Sequence, residues 1–336
     1  MDKRPLTLIE ISGPPRARGR QYGEAAREQI MRSLAFYQHY LAHTTQLEWS
    51  VILERAPRWI PLIEDYLPEA VDEMIGIAEG ANCALEEILA LNSRGELASG
   101  ERFLDEQEGC SSLAIAPEAS GDGHVYAAMN WDWLAEVADT VVILRVHQPA
   151  KPTVITQVEA GQIARHGVNS YGIALNANGL GVRFGSGLGI PQTCIRRRIL
   201  DSASIYDALC AIFGARQSGC TNLLLTHRDG FVIDLETTPG RHGWMYPTNG
   251  ILVHGNHFIA FVPPQIAGSY RPWGVDSLYR VPRIEQALRR TRDVRTPEAM
   301  RELIASALRD HFGKPASVCC HPDERFDPYH RYETVA

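Results

Sequence analysis

Apolar positions recur with helical spacing through the first hundred residues, then change to short blocks and alternations, then return to helical spacing. Leu6-Thr7-Leu8-Ile9-Glu10-Ile11 opens as a strand and is broken by Gly13-Pro14-Pro15. From about Ala17 to Leu41 the chain has no proline and is helix-compatible. Pro68-Glu69 suits a first helical turn, where backbone N–H groups are spare and the dipole end is positive. Val71, Met74, Ile75 and Ala78 follow at i, i+3, i+4 and i+7, which predicts a helix with one apolar face stopping near Gly80. Ala84 to Leu91 adds another short helix.

At Cys110 the texture changes. β-rich runs at 111–116, 124–130, 140–146, 153–158, 172–175, 222–226, 231–235 and 251–254 alternate with turn residues, and Arg228-Asp229-Gly230 is a hairpin signal. Strands in succession without a helix between each pair predict antiparallel sheets, not βαβ crossovers. Leu278, Val281, Ile284 and Leu288 then share a helical face, and Thr296-Pro297-Glu298 reads as N-cap, N1 and N2 of a last helix. The pattern predicts an α+β fold in one domain over 1–336: a four-layer αββα sandwich of two antiparallel sheets flanked by helices.

Charge narrows the function. The 336 residues hold 33 Lys plus Arg against 40 Asp plus Glu, a net charge of −7, so nothing draws the whole chain to nucleic acid or anionic lipid. No apolar run approaches the ~18 residues of a membrane span, and the start lacks signal-peptide features. A cytoplasmic protein without nucleic-acid or membrane partners is expected. Seven cysteines, odd in number and irregularly spaced, predict thiols and not a disulfide framework.

Three weak motifs are set aside. Gly185-Ser186-Gly187-Leu188-Gly189 has Phe184 where a nucleophile elbow needs glycine, and Pro191 argues against a helix opening there to hold a pyrophosphate. Arg196-Arg197-Arg198 reads as a solvated helix face. His311, Cys319, Cys320 and His321 offer ligand atoms, but adjacent ligands do not readily reach one tetrahedral ion, so no metal and no cofactor is expected.

Two Gly-Cys pairs precede strands, Gly109-Cys110 and Gly219-Cys220. Only Cys110 leads through one strand and a tight turn to a polar group, Asn130-Trp131-Asp132, that a neighbouring antiparallel strand can bring back beside it.

At these residues the chain resembles the isopenicillin N acyltransferase (penicillin acyltransferase) family of N-terminal nucleophile hydrolases. Gly13 to Gly23 is similar to that family's glycine-rich opening, Glu108-Gly109-Cys110-Ser111-Ser112 to its processing site, and Asn130-Trp131-Asp132-Trp133 to its next strand motif. Gly167 to Ala174 with Asn178, then His254-Gly255-Asn256-His257-Phe258, then 310–315 and 317–321, resemble its later segments in the same order. One departure is Ser111-Ser112, where penicillin acyltransferase has Thr-Thr; the C-terminus also lacks a peroxisomal address.

The resemblance implies cleavage of Gly109-Cys110 into a mainly helical fragment 1–109 and a catalytic fragment 110–336, held as an αβ heterodimer with room for higher oligomers. Cys110 would be the nucleophile, Asp132 would hold its amine, and Asn256 would give its side-chain N–H₂ to the oxyanion. Asn130 and Asn178 would bind substrate. Arg280 matches an active-site arginine of the bile-salt hydrolase branch, with a surface helix arginine as the alternative. Substrates would be a small amide or acyl donor, acyl-CoA among them, with an amine or water as acceptor. Competing readings are a bile-salt-hydrolase-like N-acyl amide hydrolase, an unprocessed relative that binds small molecules, and a metal-dependent hydrolase using His311, Cys319 and His321.

Overall fold

The computed structural model describes residues 6–97, 109–181, 187–272 and 274–335. Glu108, Phe184 and the start of the glycine cluster, Gly185-Ser186, lie outside the described residues. Helices α1 (Pro15–Ala25), α2 (Arg27–Thr45), α3 (Trp49–Arg55), α4 (Ile60–Tyr66), α5 (Glu69–Ala81), α6 (Leu85–Asn92) and α7 (Arg94–Leu97) come first. Later come α8 (Gln192–Leu200), α9 (Ile205–Phe213), α10 (Ser277–Leu288) and α11 (Pro297–Leu308). The strands are β1 (Thr7–Ser12), β2 (Gly109–Ile115), β3 (Tyr126–Leu134), β4 (Val141–His147), β5 (Val154–Glu159), β6 (His166–Asn169), β7 (Ile173–Gly179), β8 (Thr221–His227), β9 (Val232–Thr237), β10 (Gly243–Met245), β11 (Ile251–His254) and β12 (Tyr332–Thr334).

They form two interleaved units, one of 1–104, 136–173 and 186–218, the other of 105–135, 174–185 and 219–336. The first sheet contributes β1-β4-β5-β6 to the first unit and β7-β8-β9-β10 to the second; the other sheet, β11-β2-β3-β12, lies within the second. Helices in both units and two sheets give the expected α+β class. One pairing departs from the antiparallel rule: β1 runs parallel to β4, with Thr7 opposite Val142. The chain between these two strands, α1 to α7 and then β2 and β3 of the other sheet, is long enough for the crossover that a parallel pair needs.

In the first unit α1 crosses α5 on glycines. A Cβ on Gly19 would stand 2.1 Å from Glu73 O and one on Gly76 2.2 Å from Arg16 O, so the two backbones touch where any side chain would part them. This explains why α5 is buried almost all round, Glu73 and Ile77 included, and not on one face. The helix passes through Gly80 and ends at Asn82 in a left-handed conformation (φ 60). The expected long helix from Ala17 divides at Ala26 (φ −109) into α1 and α2.

Arg197 corrects a further expectation. α8 opens directly after Pro191, and Arg196 and Arg197 are buried, not solvated. Arg197 pairs with Glu73 (2.8 Å) and Asp201 (2.9 Å), and Arg18 pairs with Glu73 from the other side (2.6 Å). Isolated ions are too costly to bury unpaired, and each here has a partner.

In the second unit the period-two alternation of β2 divides its side chains cleanly. Leu113 and Ile115 join Val281, Ile284 and Leu288 of α10 and Met300 and Ile304 of α11 under the helical layer. Ala114 packs on the opposite face with Leu224, Val232 and Leu252, between the two sheets. Leu278, grouped with the α10 face from sequence, is instead 51% exposed. No described helix is long and apolar enough to cross a membrane.

Candidate active site

Strand register assembles the site in the second unit. β2 pairs antiparallel with β3, so Gly109 faces Asp132 and Cys110 faces Trp131. On its other edge β2 pairs with β11, where His254 faces Ser112. Continuing that antiparallel register two residues beyond His254 brings Asn256 to Cys110. The Cys110 backbone nitrogen donates to Asn256 Oδ1 at 2.9 Å.

The orientation of Asn256 is set by its neighbours. Arg280 Nη2, which can only donate, lies 2.7 Å from Oδ1, and Nδ2 donates to Gly179 O at 2.9 Å. The amide therefore turns its oxygen to the Cys110 nitrogen and keeps one Nδ2 hydrogen beyond the bond to Gly179. Its backbone N–H donates to Ser277 Oγ at 2.7 Å. Ser277 can come that close because the preceding residue is glycine; a Cβ on Gly255 would sit 2.3 Å from Ser277 Oγ.

Arg280 is 1% exposed, which overturns the surface-helix alternative. Nη1 donates to Cys110 O (2.7 Å) and Ser111 Oγ (2.8 Å), and Nε donates to Asp276 one helical turn earlier (2.6 Å). Burial works against its charge, but Asp276 and Asp132 outweigh that and hold its pKa above the ordinary arginine value. One planar fork thus fixes the Cys110 carbonyl, Ser111 and Asn256 together.

Asp132 lies on the other side of the Gly109-Cys110 link. It is 1% exposed and accepts from Thr334 Oγ1 at 2.5 Å. A Cβ on Gly109 would come within 2.7 Å of Asp132 Oδ2, so glycine is what allows the carboxylate to stand beside this peptide.

The remaining candidates stand elsewhere in the network. Asn130 donates through Nδ2 to Leu308 O and Val318 O, both 2.7 Å away, tying two later segments to β3. Asn178 Oδ1 accepts from Ser112 Oγ at 2.7 Å and from Asn222 at 3.4 Å. Neither is bonded to Cys110, Asp132 or Asn256 by these contacts.

Sequence reasoning missed a buried acid pair. Asp234 and Glu236 lie in β9, both with no exposed surface. Their signal was present: two acids at i and i+2 put both charges on one face of an otherwise apolar strand. His254 Nδ1 is 2.9 Å from Gly255 O and Nε2 is 2.9 Å from Glu236 Oε1. Both partners are acceptors, so the contacts favour the charged imidazole that donates from both ring nitrogens. Burial lowers the pKa of His254, yet the charges of Asp234 and Glu236 prevail and raise it. The same carboxylate of Glu236 accepts from the backbone of Ile259, Ala260 and Phe261, fastening the segment that follows Asn256.

This arrangement predicts a pH dependence. A raised histidine pKa means stabilisation that is complete below the unfolded value and lost as pH rises through the folded one. Burial also raises Asp234, from 3.8 to about 6, so the native state disfavours its ionisation in the same direction. Thermal unfolding midpoints should therefore lose the Asp234 contribution as pH rises from 3.8 to about 6, and the His254 contribution as it rises beyond 6.5. Asp234→Asn should flatten the acidic part of that slope, and a midpoint that rises through the interval would contradict the assignment.

Burial, helped by Glu87 at Cys83, pushes the thiols of Cys83 and Cys194 up to about 12, which leaves them protonated. Cys110 differs in having its own nitrogen held by a side chain at the head of a strand.

The family described as acyl-coenzyme A:6-aminopenicillanic acid acyl-transferase matches residues 119–327, well over half the chain. The chain belongs to this acyltransferase family. Among the family's curated members, the 40 kDa form of the acyl-coenzyme A:6-aminopenicillanic-acid-acyltransferase of Emericella nidulans is 27% identical over 316 residues, covering 93% of this chain and 84% of that one. Among solved structures, a Caenorhabditis elegans ortholog of N-acylethanolamine-hydrolyzing acid amidase is 12% identical with a TM-score of 0.44, over 60% of this chain and 86% of that one. A variant of conjugated bile acid hydrolase from Clostridium perfringens is 11% identical with a TM-score of 0.44, over 67% and 84%. Membership of the acyltransferase family makes this chain an enzyme of the acyl-transfer kind.

Proposed function

We propose that this enzyme cuts its own Gly109-Cys110 bond and then uses Cys110 to carry acyl groups from an amide or thioester to an amine or to water. The observation that carries this reading is the hydrogen bond from the Cys110 nitrogen to Asn256 Oδ1. That contact holds the one atom that is an amide before the cut and a base after it.

In the first step Cys110 Sγ attacks the Gly109 carbonyl. The C–N bond breaks, a thioester forms, and the nitrogen takes up the thiol proton to leave as an amine. Water then hydrolyses the thioester, giving a Gly109 carboxylate and a free Cys110 thiol. The new α-amine has a reference pKa of about 7.7–8.0, against about 8.5 for the thiol, so at neutral pH it can accept that proton. Asn256 Oδ1 orients the amine, and the carboxylate of Asp132 beside Gly109 favours its protonated form once the thiolate attacks.

Turnover repeats these steps on substrate. The oxyanion of each tetrahedral intermediate needs fixed donors, and the second Nδ2 hydrogen of Asn256 is the candidate the geometry offers. Asn130 and Asn178 act in this reading as positioning residues, since their amides are engaged with Leu308 and Val318 and with Ser112. Acyl-CoA is a candidate donor and a small amine a candidate acceptor, with N-acyl amide hydrolysis the outcome when water wins at the acyl-enzyme.

The two fragments would stay together because the cut does not follow the unit boundary. Within the first unit β1 of fragment 1–109 pairs with β4 of fragment 110–336. Tyr37 OH also reaches Glu159 (2.6 Å), and Tyr66 OH reaches Ala211 O (2.7 Å). Intact-mass measurement under denaturing conditions should resolve fragments 1–109 and 110–336, the latter beginning Cys-Ser-Ser-Leu, that co-elute on native gel filtration. A chain that stays at 37.4 kDa on prolonged incubation would refute self-cleavage. Incubation with acyl donors should add one acyl mass to the fragment 110–336.

A further inference from the structure

The loop after α11 gathers three soft-metal donors that their sequence spacing argued against. One ligand atom each of His311, Cys319 and His321 lie within 4.8 Å of one another. The His311 and His321 rings approach to 5.0 Å between centroids. The intervening residue points away, with Cys320 Sγ against Tyr332 O at 3.5 Å. Adjacency in sequence is thus no obstacle: Cys319 and His321 turn to one side, and a folded loop returns His311 to meet them.

The loop is braced without a metal. Asn130 grips Leu308 O and Val318 O, Cys319 N donates to Asp310 O at 3.0 Å, and Lys314 N donates to His311 O at 3.2 Å. Around a tetrahedral zinc ion, bonds of about 2.0–2.3 Å put ligand atoms roughly 3.3–3.6 Å apart. Small side-chain rotations, easy for the exposed His311, close the present spacing to that value.

We propose that His311, Cys319 and His321 form a zinc site with three protein ligands and a water in the fourth position. The thiolate and two imidazoles suit a borderline-soft divalent ion, not calcium or magnesium. Its role is structural. Cys320 N, between two of the ligands, donates to Thr334 Oγ1 (2.8 Å), which itself donates to Asp132 (2.5 Å). Zinc would therefore stiffen the segment that holds Asp132 in place.

The test uses the full chain, stripped with chelator and titrated with cobalt(II), then with zinc as competitor. One equivalent of cobalt should bind, with visible bands of tetrahedral intensity and a thiolate charge-transfer band, and zinc should bleach both. Cys319→Ser should abolish the charge-transfer band, and His311→Ala should weaken binding by more than about 100-fold, beyond the cost of losing an outer-shell partner. Cys210→Ser, at an exposed thiol elsewhere, should bind as the wild type does. At one zinc concentration the thermal midpoint of the wild type and of Cys210→Ser should rise more than that of His311→Ala or Cys319→Ser. Circular dichroism checks that each variant is folded. If Cys319→Ser does not fold, the exposed position His311 carries the decision. Absence of cobalt binding by the folded wild type, or binding that His311→Ala leaves unchanged, overturns the proposal.

Discussion

Cys110→Ala is expected to persist as a single chain of 37.4 kDa, less the sulfur, and to lose acyl transfer by at least about 10⁴-fold. Alanine removes the nucleophile while preserving the strand, because the position is fully packed and its backbone bonds to Asn256 and Arg280 need no side chain. Cys110→Ser separates two parts of the mechanism. A hydroxyl is a weaker nucleophile than a thiol but can still be served by its own amine once the chain is cut. It should process slowly, over a much longer incubation than the wild type, and show correspondingly slow turnover. Denaturing mass spectrometry over time reads both variants. Rapid cleavage of the alanine variant would transfer the chemistry to another group.

Arg280→Met is expected to reduce both processing and turnover by roughly 10²–10³-fold, the range seen when a fixed donor is removed from an acyl-transfer site. Methionine fills the space but leaves Cys110 O, Ser111 Oγ and Asn256 Oδ1 without their shared donor. The Asn256 amide then loses one of the two contacts that fix which end faces the Cys110 nitrogen, keeping only Gly179 O. Stability should fall by about 2–4 kcal/mol. That is less than for a fully enclosed ion pair, because the Asp276 side chain keeps 22% of its surface in water. Urea unfolding is best measured in the Cys110→Ala background, where both proteins are uncut single chains. Arg280→Lys should recover stability more than activity, since a point charge can pair with Asp276 but cannot span three acceptors in one plane.

Local chemistry and short-range pattern were readable in the chain. The Gly109-Cys110 link and the polar group ending in Asp132 one hairpin later could be singled out because β2 and β3 are apolar runs with a clear turn, whereas Asn256 was pointed to by the family resemblance. The Thr296 cap was equally plain, and its hydroxyl does accept from Ala299. What stayed hidden depends on partners distant along the chain. Nothing near Arg197 announces Glu73, 124 residues earlier, so three arginines in a row read as solvated. Gly80 reads as a helix stop until its closeness to Arg20 O (2.2 Å for an added Cβ) shows that it serves a helix crossing. That Asn256 turns its accepting oxygen to the Cys110 nitrogen follows from Arg280, which no spacing rule links to it.

Under the proposed cleavage, the parallel pairing of β1 with β4 has a consequence for how the cut enzyme would survive stress. Before cleavage both strands belong to one molecule, so renaturation is a first-order search. Afterwards the partner strand must be found by diffusion, and recovery from denaturant becomes dependent on protein concentration. Dilute mature enzyme, once melted, should stay melted, while the uncut precursor regains its structure under the same conditions.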